Sequence, residues 1–278
     1  MRFTSATQLK DWIKNKAKQT GTPSNALLYT YMMERLLERV SVSAYRENFI
    51  LKGGFLIAAM VGIDRRSTMD MDATAKGLSV SNETLKEIID EIIAIDVEDG
   101  VTLEIENIQN IREVSEYDDF RISLKASFHT IFVRMKLDIT TGDRMIPGEI
   151  EYSYKLMFEE RTIPVMAYNL YTILAEKIET ILSRNVTNTR GRDFYDAYML
   201  LSENRDTLSR TELLHALQVK AEERGSAHHI AQYEKHLQDI GASPEVAKIW
   251  AGYTKSYAYA KGIVLADILS LIRWVFEG

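Results

Sequence analysis

The stretch Asn48-Phe49-Ile50-Leu51-Lys52-Gly53-Gly54 begins as an apolar strand and is stopped by a glycine pair, after which Phe55 to Val61 takes on an apolar helical character. Beyond that helix, Ser67-Thr68-Met69-Asp70-Met71-Asp72-Ala73 alternates strictly between polar and apolar residues. Such alternation suits a second strand with both aspartates on one face. A strand, a tight turn, a helix and a strand that ends in paired acids therefore form the nucleus of the chain.

Outward from this nucleus, the N-terminal side is helical. Ala6 to Lys18 and Ser24 to Val42 carry apolar residues at spacings of three and four, with Ser24 placed as a cap. On the C-terminal side, Asn82 to Ile95 reads as an amphipathic helix. Val101 to Ile111, Asp119 to Ala126, Thr130 to Ile139 and Gly148 to Tyr154 read as strands, with a hairpin around Ser127-Phe128-His129. A mixed sheet fills the middle. After Pro164 the character changes. Tyr168 to Arg184, Asp193 to Ser202, Arg210 to Arg224, His228 to Leu237, Pro244 to Ala251 and Leu265 to Phe276 are helix candidates. The expectation is an α+β protein: residues 1–164 form a sheet domain with N-terminal helices, and residues 165–278 form a helical C-terminal domain.

Composition fits this reading and narrows the chemistry. The 278 residues are 46% hydrophobic and 27% charged, with 14 glycines and 4 prolines, which excludes disorder, collagen and a coiled-coil rod. The absence of cysteine removes disulfides, thiolate nucleophiles, Cys-ligated zinc and iron–sulfur clusters, and points to the cytoplasm. A net charge of −6 disfavours a blanket electrostatic nucleic-acid binder but allows a local basic patch. The N-terminus from Met1 to Lys18 is charged and amphipathic. No apolar run approaches the ~18 residues a spanning helix needs, so neither a leader nor a membrane segment is expected.

Asp70 and Asp72, two carboxylates at i and i+2 on a strand, suit a divalent cation held between them and the phosphates of a nucleotide. A glycine pair at a helix start lets backbone amides approach a phosphate, and the helix dipole favours its charge. An Asp-x-Asp pair alone occurs by chance in most proteins; the preceding Lys52-Gly53-Gly54 gives it context. An EF-hand fails on spacing, because Ala75 stands where the loop glycine belongs and Ser81 where the terminal glutamate belongs. No P-loop and no Gly-x-Gly-x-x-Gly run offers a rival nucleotide site.

A third acid, Asp138, ends the alternating run Phe132-Val133-Arg134-Met135-Lys136-Leu137-Asp138-Ile139 on the face of Arg134 and Lys136. It is either a third carboxylate beside the pair or a solvent-facing strand position. A second constellation follows the sheet: Ala175-Glu176-Lys177 through Arg184, then Arg190-Gly191-Arg192-Asp193-Phe194-Tyr195-Asp196. Lys177 and Arg184 are seven apart on one helix face and suit one anion such as a triphosphate, while Asp193 and Asp196 share another face. The bland alternative is a solvated helix with an internal ion pair. His129, His215, His228, His229 and His236 have no partners at ligand spacing and are expected at the surface. Trp250, Tyr253, Tyr257, Tyr259 and Trp274 suit either base stacking or, more cheaply, helical packing. Lys235, Lys248, Lys255 and Lys261 would serve an RNA surface if they fell on one side.

Taken together, Leu51-Lys52-Gly53-Gly54, Arg66 through Asp72, Ala175-Glu176-Lys177, Arg184 and Arg192-Asp193-Phe194-Tyr195-Asp196 resemble the AbiEii/AbiGii toxin family. That family is a branch of the DNA polymerase beta-like nucleotidyltransferase superfamily. The resemblance covers about residues 48 to 202. It implies a bilobed protein with a nucleotidyltransferase mixed sheet, flanking helices and a helical C-terminal lobe. It also implies Mg2+ held by Asp70 and Asp72, and a triphosphate gripped near Gly54, Ser67 and Lys177. Gly53, Arg66, Thr68, Asp138, Arg184 and Asp196 complete the substrate-binding set. Asp193 matches the acid of the family's Arg-Asp element and joins Asp70, Asp72 and Lys177 as a catalytic candidate.

The same resemblance implies a toxin of a bacterial toxin–antitoxin or phage-abortive system. Its substrate would be a nucleoside triphosphate, its acceptor tRNA, and its partner a cognate antitoxin. Two features depart from the pattern. Fifteen residues separate Gly54 from Asp70, longer than the superfamily norm, and Ala73 replaces the usual bulky apolar residue. The first leaves open which of the glycines and serine touches phosphate; the second affects packing. A non-catalytic nucleotide- or RNA-binding module on the same fold is the alternative reading.

Overall fold

The computed structural model describes residues 3–111 and 119–277, so Met1 and Arg2 of the charged N-terminal stretch lie outside it. The chain divides into two compact units. The first runs to Asp143 and takes in Ile150–Ala167; the second consists of Arg144–Glu149 and the chain from Tyr168 onward.

The first unit begins with helices α1 (Ala6–Thr20) and α2 (Ser24–Val42). Strand β1 (Phe49–Lys52), helix α3 (Gly53–Val61), strand β2 (Met71–Ala75) and helix α4 (Asn82–Ile93) follow. Then come β3 (Thr102–Asn110), β4 (Phe120–Phe128), β5 (Ile131–Thr141), β6 (Ile150–Lys155) and β7 (Thr162–Ala167). Among the described residues these strands form one seven-stranded sheet in the order β3-β4-β5-β2-β1-β7-β6. It is mixed: β1 runs antiparallel to β2 and parallel to β7, and β2 runs parallel to β5. This is the α+β architecture with a mixed sheet that the sequence predicts.

Alternation sets the core face. Phe120, Ile122, Leu124, Ala126 and Phe128 of β4 are all buried while the residues between them are half-exposed, and α2 and α3 supply further apolar packing. Full burial of such side chains is worth about 1.5–3 kcal/mol each. The Tyr29 hydroxyl joins α2 to β5, accepting from the Lys136 N–H (3.1 Å). The helix α2 also buries charge. Arg39 makes a bidentate contact with Asp99 (2.7 and 3.0 Å) and donates to the Val101 carbonyl, so its guanidinium is paired.

Several local expectations need correction. The second strand begins at Met71, because the Thr68 hydroxyl accepts from the Asp70 N–H (3.2 Å) and holds Ser67–Asp70 in a turn. Pro23, not Ser24, is the N-cap of α2, and it makes no side-chain cap bond. Strand β7, unread in the sequence, contains Pro164. Strand β7 pairs with β1 at Ala167, opposite Leu51, so the missing N–H at Pro164 lies away from that contact.

The second unit is helical: α5 (Leu170–Arg184), α6 (Gly191–Asn204), α7 (Arg210–Glu223), α8 (Ala227–Ala231), α9 (Tyr233–Ala242), α10 (Pro244–Ser256) and α11 (Leu265–Phe276). Asn169, Ser209 and Ser243 cap α5, α7 and α10 through side-chain oxygens. The helix expected over His228–Leu237 is broken at Gln232, which separates α8 from α9. His236 is buried rather than surface-exposed, between the Asn185 amide (2.8 Å) and His229 (3.2 Å). No described helix is long and apolar enough to cross a membrane.

Candidate active site

Strand pairing in the first unit assembles the residues that the motifs list separately. Lys52 on β1 lies opposite Asp72 on β2, and Asp72 lies opposite Asp138 on β5. Paired residues share a sheet face, so Lys52, Asp72 and Asp138 form one row across three adjacent strands. Asp70 precedes β2 and is exposed; Asp72 and Asp138 are half-buried. Two acids that the sequence places about seventy residues apart are thus neighbours.

The glycines are dictated by what lies over them. Gly53 has φ +67°, a left-handed conformation, and a Cβ there would stand 2.1 Å from the Asp72 carboxylate. Gly54 sits under Arg66 and Thr68, whose nearest atoms are 3.0 and 3.1 Å from the position of a Cβ. Arg66 is buried and donates to the Ser67 carbonyl. The start of α3 therefore abuts the Arg66–Asp72 segment directly. Backbone N–H groups at that helix start, together with the Ser67 and Thr68 side chains, suit an anion.

Around this row lie groups that the sequence reading left out. Asp143 Oδ2 accepts from Lys52 Nζ (2.6 Å), from the Thr74 hydroxyl (2.6 Å) and from Thr140, and Lys52 also donates to Thr140 Oγ1 (2.6 Å). Asp143 follows the strand, where no periodicity marks it. The alternating run in β5 and β2 could have drawn attention to Thr140 and Thr74. Asp138 is gripped by Arg121 on β4 through two bonds of 2.8 and 2.7 Å, which raise the guanidinium above its ordinary pKa. Tyr29 is pushed up to about 12, first by burial; Asp70, Asp138 and Asp72 add to the shift.

Whether these carboxylates fit a divalent cation can be judged from the donors. Among the described residues no group of three or more His, Cys, Asp or Glu is arranged to hold a metal. Asp138 already has both oxygens on Arg121, which leaves Asp70 and Asp72 as the candidate pair. Two hard oxygen donors suit Mg2+, which keeps most of its shell as water and substrate phosphate and takes only one or two carboxylates from protein. The pair fits that ion.

The second unit brings together its own motif residues. Lys177 on α5 reaches Asp193 and Asp196 on α6, at 3.0 Å each, and both acids are buried. The one-turn spacing of Asp193 and Asp196 puts both on the α6 face that meets α5. Gly191 opens α6 against Tyr253, whose Cβ and ring Cγ lie 2.7 and 2.9 Å from where a Cβ would stand. The late aromatics pack together here: Tyr195 lies 4.9 Å from Tyr259 and Trp250 lies 5.6 Å from Tyr253. Arg184 is the exposed last residue of α5, and Lys177 is directed to the two aspartates.

Comparison with known proteins bears on both units. A sequence-family model described as nucleotidyl transferase AbiEii toxin, type IV toxin–antitoxin system, matches residues 35–267. Among solved structures, the chain is similar to a candidate nucleotidyltransferase from H. pylori, at 13% identity over 92% of this chain and 96% of that one (TM-score 0.51). It is similar also to JHP933 from Helicobacter pylori, at 12% identity over 92% and 94% of the two chains (TM-score 0.50). At these identities the likeness is one of fold. No curated protein matches significantly in sequence.

Proposed function

The chain belongs to the nucleotidyl transferase AbiEii toxin family of type IV toxin–antitoxin systems, and from that membership we propose that it transfers a nucleoside monophosphate to a tRNA hydroxyl, with Mg2+ held by Asp70 and Asp72. As a nucleotidyltransferase of this family it takes a nucleoside triphosphate as substrate and has an antitoxin as partner. The observation that carries the metal-site reading is the row in which Asp72 lies opposite Asp138 and Lys52, with its carboxylate over Gly53. An ion held by Asp70 and Asp72 would offset triphosphate charge and lower the pKa of the acceptor hydroxyl.

The chain's own groups do the rest. The amides at the start of α3, with Ser67 and Thr68, hold the phosphates by hydrogen bonds, and Arg66 fixes the loop beneath them. The acceptor oxygen bonds to the α-phosphorus as the bond to the bridging oxygen breaks. Pyrophosphate leaves with that electron pair, and the hydroxyl proton passes to solvent. Asp138 stands beside Asp72 in the row as a candidate substrate contact, its charge balanced by Arg121. In the second unit the family resemblance keeps Lys177, Asp193 and Asp196 as candidates, with the two aspartates fixing the orientation of Lys177. Arg184 is a candidate for further phosphate contact. Triphosphates and tRNA meet in the cytoplasm, where we place the reaction.

The test is incubation of purified protein with Mg2+, each α-labelled nucleoside triphosphate and total bacterial tRNA, beside Asp72→Asn and an EDTA-treated sample. Label entering tRNA with the wild type alone, and not after EDTA, supports the reading. Label entering RNA in the presence of EDTA would overturn the metal role. Label entering a substrate other than tRNA would overturn the acceptor, and label entering nothing would favour the non-catalytic binding module.

A further inference from the structure

The chain carries a net charge of −6, yet two of its stretches hold cations and no acid: Thr180 to Arg192, with Arg184, Arg190 and Arg192, and Val246 to Ala266, with Lys248, Lys255 and Lys261. The helical unit brings them together. Helix α10 packs on α6 and on the turn over residues 185–187, and Gly191, between two of the arginines, lies against Tyr253 of α10. Arg192 stands one turn before Tyr195 on α6, and the Tyr195 ring packs against those of Tyr253 (5.9 Å) and Tyr259 (4.9 Å). Lys261 follows Tyr259 by two residues, at the end of a short turn over Ala258–Ala260. Arg190, Arg192, Lys255 and Lys261 are all exposed. A local basic surface thus edges a group of aromatic rings in a protein that is acidic overall.

Helical packing, the cheaper account of these aromatics, covers only the inner ones. Trp250 is buried and its indole N–H donates to the Ile263 carbonyl (3.1 Å); Tyr195 is buried too. From Trp250 the rings continue outward: Tyr253 stacks at 5.6 Å and 18°, Tyr257 lies 4.6 Å beyond it, and Tyr259 flanks Tyr257 at 5.3 Å and 26°. The Tyr253 and Tyr259 hydroxyls are 3.2 Å apart, a hydrogen bond that ties together the two rings on which Tyr257 rests. Tyr257 itself is 39% exposed, so the series ends at a tyrosine open to solvent. An unpaired base would extend it by one member, and the phosphates on either side would meet the cations. Stacking on aromatic rings beside lysine and arginine holds single strands without reading their sequence, whereas a duplex keeps its bases stacked on one another. An acidic peptide would answer the cations alone. We infer that this face of the helical unit binds unpaired nucleotides of an RNA, one base stacking on Tyr257 and the adjoining phosphates meeting Arg190, Arg192 and Lys261. RNA is named as the strand on the proposed reading of the acceptor; the surface itself takes no part in the transfer step.

Binding is read without catalysis, by fluorescence anisotropy of a labelled oligoribonucleotide of about ten nucleotides, in EDTA and without triphosphate. The single strand is expected to bind the full chain at least tenfold more tightly than the same sequence annealed to its complement. Tyr257→Ala should weaken single-strand binding about fivefold or more and Tyr257→Phe less than twofold, since the ring and not the hydroxyl carries the stack. Arg190→Gln together with Lys261→Gln should lower the slope of log affinity against log salt by about one. Lys86→Gln, which removes an exposed cation of the first unit, should change neither affinity nor slope. Equal binding of duplex and single strand would overturn the inference, as would wild-type affinity in Tyr257→Ala, an equal loss in Tyr257→Phe, or an unchanged slope in the double variant. No binding of any RNA would overturn it as well, the result expected of a face that a protein partner covers. Binding with these properties but no transfer of labelled nucleotide would sink the transferase reading and leave this surface standing; transfer into RNA with none of them would do the reverse.

Discussion

The two units present the same residue types in opposite states. At the sheet, Asp70 is exposed and Asp72 half-buried, with glycine beneath and backbone amides nearby. In the helical unit, Asp193 and Asp196 are buried and Lys177 lies between them at 3.0 Å from each. The first pair is reached by solvent, whereas the second is closed off from it around a lysine. Both sets would be read alike from a sequence that lists acids and a lysine at helical or strand spacing. What separates them is burial, which decides whether removing a charge is felt in chemistry or in stability.

The largest effect should follow Asp72→Asn. It keeps the volume over Gly53 and removes one negative donor, so transfer into RNA should fall by about 10³-fold or more, roughly 4 kcal/mol on the barrier. The melting temperature should change by no more than a few degrees. Labelled-nucleotide transfer and a thermal melt on the same preparation check both halves, and a comparable loss of stability would erase the contrast between the units.

Lys177→Met tests the other side. It removes the cation that lies 3.0 Å from the buried Asp193 and Asp196, and breaking a buried ion pair costs about 3–5 kcal/mol. Denaturant unfolding should show that loss. Adding Asp193→Asn and Asp196→Asn to Lys177→Met should restore more than half of it, because the unpaired charges go too. No loss in the single variant would mean that the triad is as open as the carboxylate row.

Glu34 gives an intermediate case: a carboxyl buried from solvent whose ion pair with Arg35 is long, at 3.9 Å. Its ordinary value is 4.5 and its folded value about 8, so between these the folded state binds the proton that the unfolded state has released. The contribution is therefore fully present below about pH 4.5 and is lost as pH rises through 8, on the order of a few kcal/mol. The groups facing it are Arg35 and Glu38 on its own helix, Tyr154 on β6, and Glu159 beyond. Glu159, despite burial that works against it, is held down to about 2 by Arg161 and Arg35, so it does not titrate in this window. Glu34→Gln should flatten the wild-type decline in stability between pH 5 and pH 8, measured by urea unfolding across that range.

The candidate residues of both units were legible in the sequence, whereas their burial and pairing were not, for identifiable reasons. Alternation around Asp70 and Asp72, and along β5 to Asp138, is a local signal, and so is the glycine pair that the turn into α3 requires. The register that places Asp72 against Asp138 is non-local and emerges only with the sheet. Pro164 hid β7, since proline reads as punctuation, although β7 meets β1 beyond it, at Ala167. On α2, Glu34, Arg35, Glu38 and Arg39 were passed over in the sequence but are buried, and partners such as Asp99, Glu159 and Arg161 come from distant loops and strands. Lys52 and Asp143 found each other across ninety residues for the same reason.

The smallest expected effect distinguishes two uses of Asp138. Its pairing with Arg121 is part-exposed, with side chains 35% and 23% accessible, so solvent screens it. Arg121→Gln should therefore cost about 1 kcal/mol or less in unfolding free energy. If Asp138 serves only to hold the row in place, transfer should drop less than tenfold and the metal concentration needed for half-maximal rate should stay put. A released Asp138 that turned toward Asp70 and Asp72 would add a third carboxylate and lower that concentration severalfold. Titrating Mg2+ against rate in the wild type and Arg121→Gln separates the two, and the bidentate geometry favours an unchanged metal requirement, since both oxygens of Asp138 are committed in the folded protein.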